Sequence, residues 1–178
     1  MAFLRGINLG ARRVASGDLR ACFEAMGFTD VATFRASGNV ILTADREALS
    51  KMTSRIEACL GDALGYEVPT FLRTASDVEA VAAHEPFPVE LVNASAGKLQ
   101  VAFLASQPSA KARAEALGHS TEEDRLALGG SELYWLPSGG MSDSALDLKA
   151  IERAVGPMTI RTKNTVEQIA EKYLATGG

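Results

Sequence analysis

Two polar patches interrupt the otherwise apolar opening of this chain: Arg5-Gly6-Ile7-Asn8 and Ser37-Gly38-Asn39. Their side chains suit recognition of an anion. A guanidinium presents a planar fork to carboxylate or phosphate, carboxamides both donate and accept, and glycines leave backbone N–H groups open. Near the carboxyl end, Arg161 and Lys163 lie just before Asn164, where a helix amino terminus could receive negative charge. The first 35 residues hold Arg5, Arg12, Arg13, Arg20 and Arg35 against Asp18, Glu24 and Asp30, although the whole chain carries a net charge of -4. That local excess fits a small anionic ligand. Each residue also has a plainer role. Gly38 and Asn39 suit a tight hairpin that needs φ > 0, Gly6 and Gly10 shape a loop, Asn164 can cap a helix, and surface arginines need no ligand.

Other chemistries find less support. Ser37 has no visible base to activate it as a nucleophile. His84 and His119 lack partners at metal-ligand spacing, so no metal or cofactor is expected. Ser138-Gly139-Gly140 lacks the Lys-Ser/Thr of a phosphate loop and reads as a plain loop. Tyr134 and Trp135 alternate on a strand, so at most one should face the core. Cys22 and Cys59 fall in helical apolar patterns and are expected as buried free thiols, not a disulfide. No acid-base pair or activated nucleophile accompanies the polar patches, which ranks an enzyme third, behind an anion-binding protein and an interaction module. A pI near 5.3 and the absence of a basic face argue against nucleic acid. No apolar run reaches the roughly 18 residues of a membrane span, and no signal-peptide pattern opens the chain. A cytoplasmic location is expected; the oligomeric state is open.

The elements that must position these residues follow from local pattern. Ala2-Phe3-Leu4 reads as a strand. Ser16 is placed to cap a helix carrying Leu19, Cys22, Phe23 and Met26, and Gly27 ends it. Val31 to Arg35 and Val40-Ile41-Leu42 flank the Ser37-Gly38-Asn39 turn. A second helix, capped by Asp45, carries Leu49, Met52, Ile56, Cys59, Leu60 and Ala63 at a 3.6-residue period and stops at Gly65. Val68 to Leu72 is a strand that Pro69 confines to a sheet edge. The order is β-α-β-β-α-β. In that topology the loop leaving the first strand and the hairpin joining the next two lie at one end of the sheet. Arg5, Asn8, Ser37, Gly38 and Asn39 should therefore meet.

The order then repeats. A helix opened by the Thr74-Ala75-Ser76-Asp77 box and a linker precede Val101 to Leu104, which echoes Ala2-Phe3-Leu4. A helix over about 109–117 follows. Strands at Arg125 to Leu128 and Leu133 to Leu136 surround Gly129-Gly130. Ser144-x-x-Asp147 caps a helix with Leu148, Ile151 and Val155. Thr159-Ile160-Arg161 is the last strand, and a terminal helix begins at Asn164, with Glu167 as its capping-box partner. The expectation is an α+β protein of two ferredoxin-like halves packed together, 1–85 and 98–178, joined by a linker at 86–97, with an extra C-terminal helix. Val40-Ile41-Leu42 and Val101 to Leu104 do not alternate, so their second face must be covered. The other half is favoured over another subunit.

Leu4-Arg5-Gly6-Ile7-Asn8-Leu9-Gly10, Gly27-Phe28, Ser37-Gly38-Asn39-Val40, Pro86-Phe87-Pro88, Val101 to Leu104 and Arg161-Thr162-Lys163-Asn164-Thr165-Val166 together resemble the bacterial domain-of-unknown-function family 1697. The matches keep their order over nearly the whole chain. The resemblance implies two ferredoxin-like halves and adds Arg161 and Asn164 to the pattern. It implies no activity. The chain departs from the family pattern in a short first strand, in Thr162 where an asparagine is usual, and in Ser144-Ala145-Leu146 where a basic Ser-Lys-Leu is frequent. The last change weakens any anion site in that segment.

Overall fold

The computed structural model describes residues 1–8, 10, 13–36 and 38–174. Its backbone separates into two compact units, Met1–Ser76 and Asp77–Gly178. The boundary falls in the first turn of the helix at Ala75–Ala83, which thus belongs mainly with the second unit.

The first unit runs β1 (Ala2–Leu4), α1 (Ser16–Ala25), β2 (Thr29–Phe34), β3 (Asn39–Thr43), α2 (Leu49–Leu64) and β4 (Thr70–Leu72). Its sheet has the order β2-β3-β1-β4, and every neighbouring pair is antiparallel. β4 is the edge strand that Pro69 requires. α2 buries Met52, Ile56 and Leu60, one residue per turn. Cys59 is exposed, contrary to expectation, and so are Leu49 and Ala63. At 100° per residue these three fall in nearly the same sector of the helix as the buried stripe, so their exposure does not follow from their angle round α2; Leu49 is the helix's first residue. Cys22 is partly buried and, like Cys59, a free thiol. Neither α1 nor α2 is capped by the residue expected: Ala15 and Ala48 occupy the cap positions, with no side-chain cap bond. Leu19 and Phe23 of α1 and the α2 stripe pack on Ala2, Leu4, Val40 and Leu72. Phe3 and Phe71 point to the opposite face and are also buried.

The second unit repeats the scheme. After α3 (Ala75–Ala83) and α4 (Val89–Ala94) come β5 (Gln100–Leu104), α5 (Ala110–Leu117), β6 (Asp124–Gly129), β7 (Glu132–Pro137), α6 (Leu148–Val155), β8 (Met158–Thr162) and α7 (Lys163–Tyr173). α4 lies within the stretch read as a linker and buries none of its residues. The sheet order is β6-β7-β5-β8, again antiparallel throughout. Ala102, Leu104, Leu133 and Trp135 pack with Ile151 and Val155 of α6. Val101, Phe103, Tyr134 and Leu136 are buried on the other face. Tyr134 and Trp135 are thus both internal, because both faces of the sheet are covered. On its face Tyr134 meets His84, with ring centroids 4.8 Å apart. Burial, helped by the charge of Glu132, raises the Tyr134 pKa to about 12.

The two units agree at the level of single hydrogen bonds. Leu4 N–H donates to Gly38 O and Arg5 N–H to Pro69 O; Leu104 N–H donates to Ser131 O and Ala105 N–H to Pro157 O. Ala2 pairs with Leu72 as Ala102 pairs with Ile160. Arg5 therefore corresponds to Ala105, Gly38 to Ser131 and Arg73 to Arg161.

Candidate functional site

The antiparallel pairing of β1 with β3 sets Phe3 opposite Asn39, so the end of β1 and the β2–β3 hairpin share one edge. Asn8 ties the two segments together. Its Nδ2 donates to Ala36 O at 2.7 Å, and its Oδ1 accepts from Val14 N–H at 2.8 Å. The carboxamide thus uses both ends to hold the loop after β1 against the hairpin and against the entry to α1. Tyr66 supports the same loop by donating to Ile7 O. Removing this tie with Asn8→Ala should lower stability by roughly 1–2 kcal/mol for two hydrogen bonds. Urea unfolding would measure the loss.

Gly38 is the close-packing point. Its φ is 71°, and a Cβ placed there would lie 2.8 Å from Ile7 Cγ2 and 3.0 Å from Leu4 Cβ. Asn39 is fully buried, and its Nδ2 donates to Phe34 O across the hairpin. Its φ is not positive; Arg35, at 58°, takes the left-handed position instead. Arg5 is half-buried on this edge and Arg13 is exposed, with Nη1 donating to Gly10 O. Ser37 lies outside the described residues. Gly6 has a φ of 75° and turns the chain between Arg5 and Ile7. Of the residues nominated from sequence, Asn8, Gly38 and Asn39 are committed to holding the edge together, while Arg5 supplies its charge.

Arg161 and Asn164 belong to the second unit. Arg161 is buried on β8, and its Nη1 donates to Thr159 Oγ1 and Ile160 O. Desolvation lowers its pKa to about 10. Asn164 is not the helix cap. Thr162 holds that position, its Oγ1 accepting from Thr165 N–H, while Asn164 is exposed and its Oδ1 accepts from Gln168. Glu167 pairs with Lys163 Nζ at 2.7 Å instead of closing a capping box. The same lysine donates to Ala82 O and so joins α7 to α3.

A second site was not visible in the residue pattern. A cleft of about 400 Å³ opens in the second unit among His119, Glu123, Asp124, Ser138, Asp143 and Asp147. Asp124 is only 5% exposed, and its Oδ1 accepts from Trp135 Nε1 at 2.7 Å and Ser144 Oγ at 2.8 Å. Ser144 therefore does not cap α6; Asp147 does, accepting from Ala150 N–H. That bond holds the Asp147 carboxyl below its usual pKa. The wall at Pro137 is braced from behind by Ser95, and Gly97 approaches Pro137 and Gly139 too closely for any Cβ. An aspartate at the start of a strand and a tryptophan on its neighbour were the available signals. Their register was needed to connect them.

No helix among the described residues is long and apolar enough to cross a membrane. No group of three or more His, Cys, Asp or Glu side chains among them could hold a metal ion. The structure thus defines a class: a mixed α/β protein built from two four-stranded antiparallel sheets. Residues 1–134 match the family described as "Protein of unknown function (DUF1697)", and the chain belongs to that family. Among solved structures it is similar to a conserved bacterial protein, SP0830 from Streptococcus pneumoniae, at 21% identity and a TM-score of 0.73. The match covers 96% of this chain and 94% of that one. No curated protein matches the sequence.

Proposed function

We propose that each unit is a ferredoxin-like half and that the first has become a binding site for a small anionic ligand, with Arg5 as its cationic group. The β-α-β-β-α-β order and the 2-3-1-4 sheet support the first part. The observation that carries the second is the asymmetry between matched positions. Two units share strand register and turn hydrogen bonds, yet only the first follows its opening strand with an arginine and an asparagine-tied loop; the second has Ala105. A loop whose only task was to connect strand to helix would not need that investment of polar groups. In this reading Asn8, Gly38 and Asn39 are positioning residues that hold the edge in which Arg5 sits.

A thermal-shift panel of inorganic phosphate, nucleotides, phosphosugars and carboxylates tests the proposal. A ligand at about 100 times its dissociation constant should add about 2.7 kcal/mol of stability. Arg5→Ala should abolish the shift while leaving the unliganded protein folded. No shift in the wild type, or a full shift in Arg5→Ala, overturns the reading.

A further inference from the structure

The chain's two cysteines sit on the two helices of the first unit, Cys22 on α1 and Cys59 on α2, and both are free thiols. β1 is antiparallel to β3 and β4, and β3 to β2, so β1 and β2 run one way and β3 and β4 the other. α1 returns the chain from β1 to β2, and α2 returns it from β3 to β4. The two helices therefore run antiparallel, and both pack on the same face, over Ala2, Leu4, Val40 and Leu72. Their register is fixed at one end. Arg55 Nη1 donates to Met26 O at 2.8 Å, and its guanidinium lies 4.6 Å from the centre of the Phe28 ring. Cys59 follows Arg55 by about one turn of α2, and Cys22 precedes Met26 by about one turn of α1. In an antiparallel pair those two steps run in the same direction, so the register sets the two thiols at one level of the groove between the helices.

Their surroundings differ in a way that orders their oxidation. Cys59 is exposed, whereas Cys22 is partly buried and packs against the core. An oxidant arriving from solvent meets Cys59 first. We propose that Cys22 and Cys59 form a reversible disulfide when the protein meets a hydroperoxide, a latch that joins α1 to α2. The Cys59 thiol takes one oxygen from the hydroperoxide, whose O–O bond breaks; a sulfenic acid forms, and an alcohol or water is released. The Cys22 sulfur then attacks the Cys59 sulfur. The S–S bond forms, the S–O bond breaks, and the hydroxyl leaves as water with the Cys22 proton. A dithiol reductant restores both thiols by exchange. α1 is the helix that follows the Asn8-held loop, so the latch bears on the same edge as Arg5 but does not depend on a ligand binding there.

Hydrogen peroxide in small molar excess, added to the native full-length protein, should remove two hydrogen masses from the monomer. A non-reducing peptide map should then join the Cys22 and Cys59 peptides, and dithiothreitol should separate them again. Under the same exposure C22S should stop at the Cys59 sulfenic acid, trapped as its dimedone adduct, and C59S should leave Cys22 reduced. Should C22S fail to fold, C59S, which changes an exposed side chain, decides together with the wild-type map. The proposal is overturned by Cys59 sulfinic acid beside a reduced Cys22 in the wild type, or by disulfide-linked dimers in place of the internal bond. It is equally overturned if Cys22 of C59S oxidises as fast as in the wild type, or if the bond forms only once urea has unfolded the chain.

Discussion

Gly38→Val is expected to destabilise the protein by roughly 2–5 kcal/mol, combining backbone strain with over-packing. Two independent effects act at this residue. Its φ of 71° lies in the left-handed region, which a β-branched side chain avoids. Its Cβ would also fall 2.8 Å from Ile7 Cγ2 and 3.0 Å from Leu4 Cβ, both on fully buried residues of the first core. Leu4 cannot retreat without opening β1, because its own N–H is bonded to Gly38 O. Gly65→Ala is the comparison. It shares a positive φ of 74° at the end of α2, but a Cβ there meets nothing within 4 Å. Its loss should stay near the strain cost of about 1 kcal/mol. Urea midpoints of the two variants would separate strain from packing. Equal losses would show that the contact with Leu4 and Ile7 is unimportant.

Asp124→Leu should cost roughly 2–4 kcal/mol, because it removes the acceptor from two partly or fully buried donors at once. Trp135 is 2% exposed, so its Nε1–H loses a buried acceptor when Asp124 Oδ1 is gone. Ser144 is only half-buried and can recover a bond to solvent, so the indole should account for most of the loss. Asp124→Asn keeps an acceptor oxygen and should lose less than half as much. Guanidinium unfolding followed by far-ultraviolet circular dichroism measures both. A leucine variant as stable as the asparagine variant would mean that the carboxylate does not hold Trp135 in place.

The two variants probe opposite kinds of legibility. That Gly38 sits in a turn between two strands could be read from its neighbours, since a hairpin after Phe34 needs a residue tolerant of positive φ. The acceptor of Trp135 could not. Eleven residues separate Asp124 from Trp135, and Asp124 from Ser144 by 20. Only the antiparallel register of β6 with β7 brings the first pair together, and only the loop before α6 delivers Ser144. The capping box expected at Ser144-x-x-Asp147 illustrates the ambiguity: both residues are capable caps, and the helix began three residues later than the first.

Among the candidate ligand residues the division is similar. The meeting of the Arg5-Asn8 loop with the hairpin follows from strand order alone, because an antiparallel β1–β3 pair places the end of one beside the start of the other. What Asn8 does there was decided by the fold. Its carboxamide was read as open to a ligand, and both ends are taken by backbone groups. Arg161 was grouped with Asn164 as a helix-end anion site, but it is buried on β8 with its guanidinium turned to Thr159 and Ile160.

By itself, then, the sequence determined the order of elements apart from α4, the edge position of β4, and Met52, Ile56 and Leu60 of the α2 stripe. Apolar periodicity, glycine stops and proline all act over a few residues, so local pattern is enough to read them. Tertiary structure alone decided which polar groups bond to one another, why Tyr134 and Trp135 are both internal, and that Asp124 bonds both Trp135 and Ser144 beside a cleft. Those outcomes depend on strand register and on which carbonyl, carboxylate or indole arrives at hydrogen-bond distance, and the partners come from segments far apart in the chain.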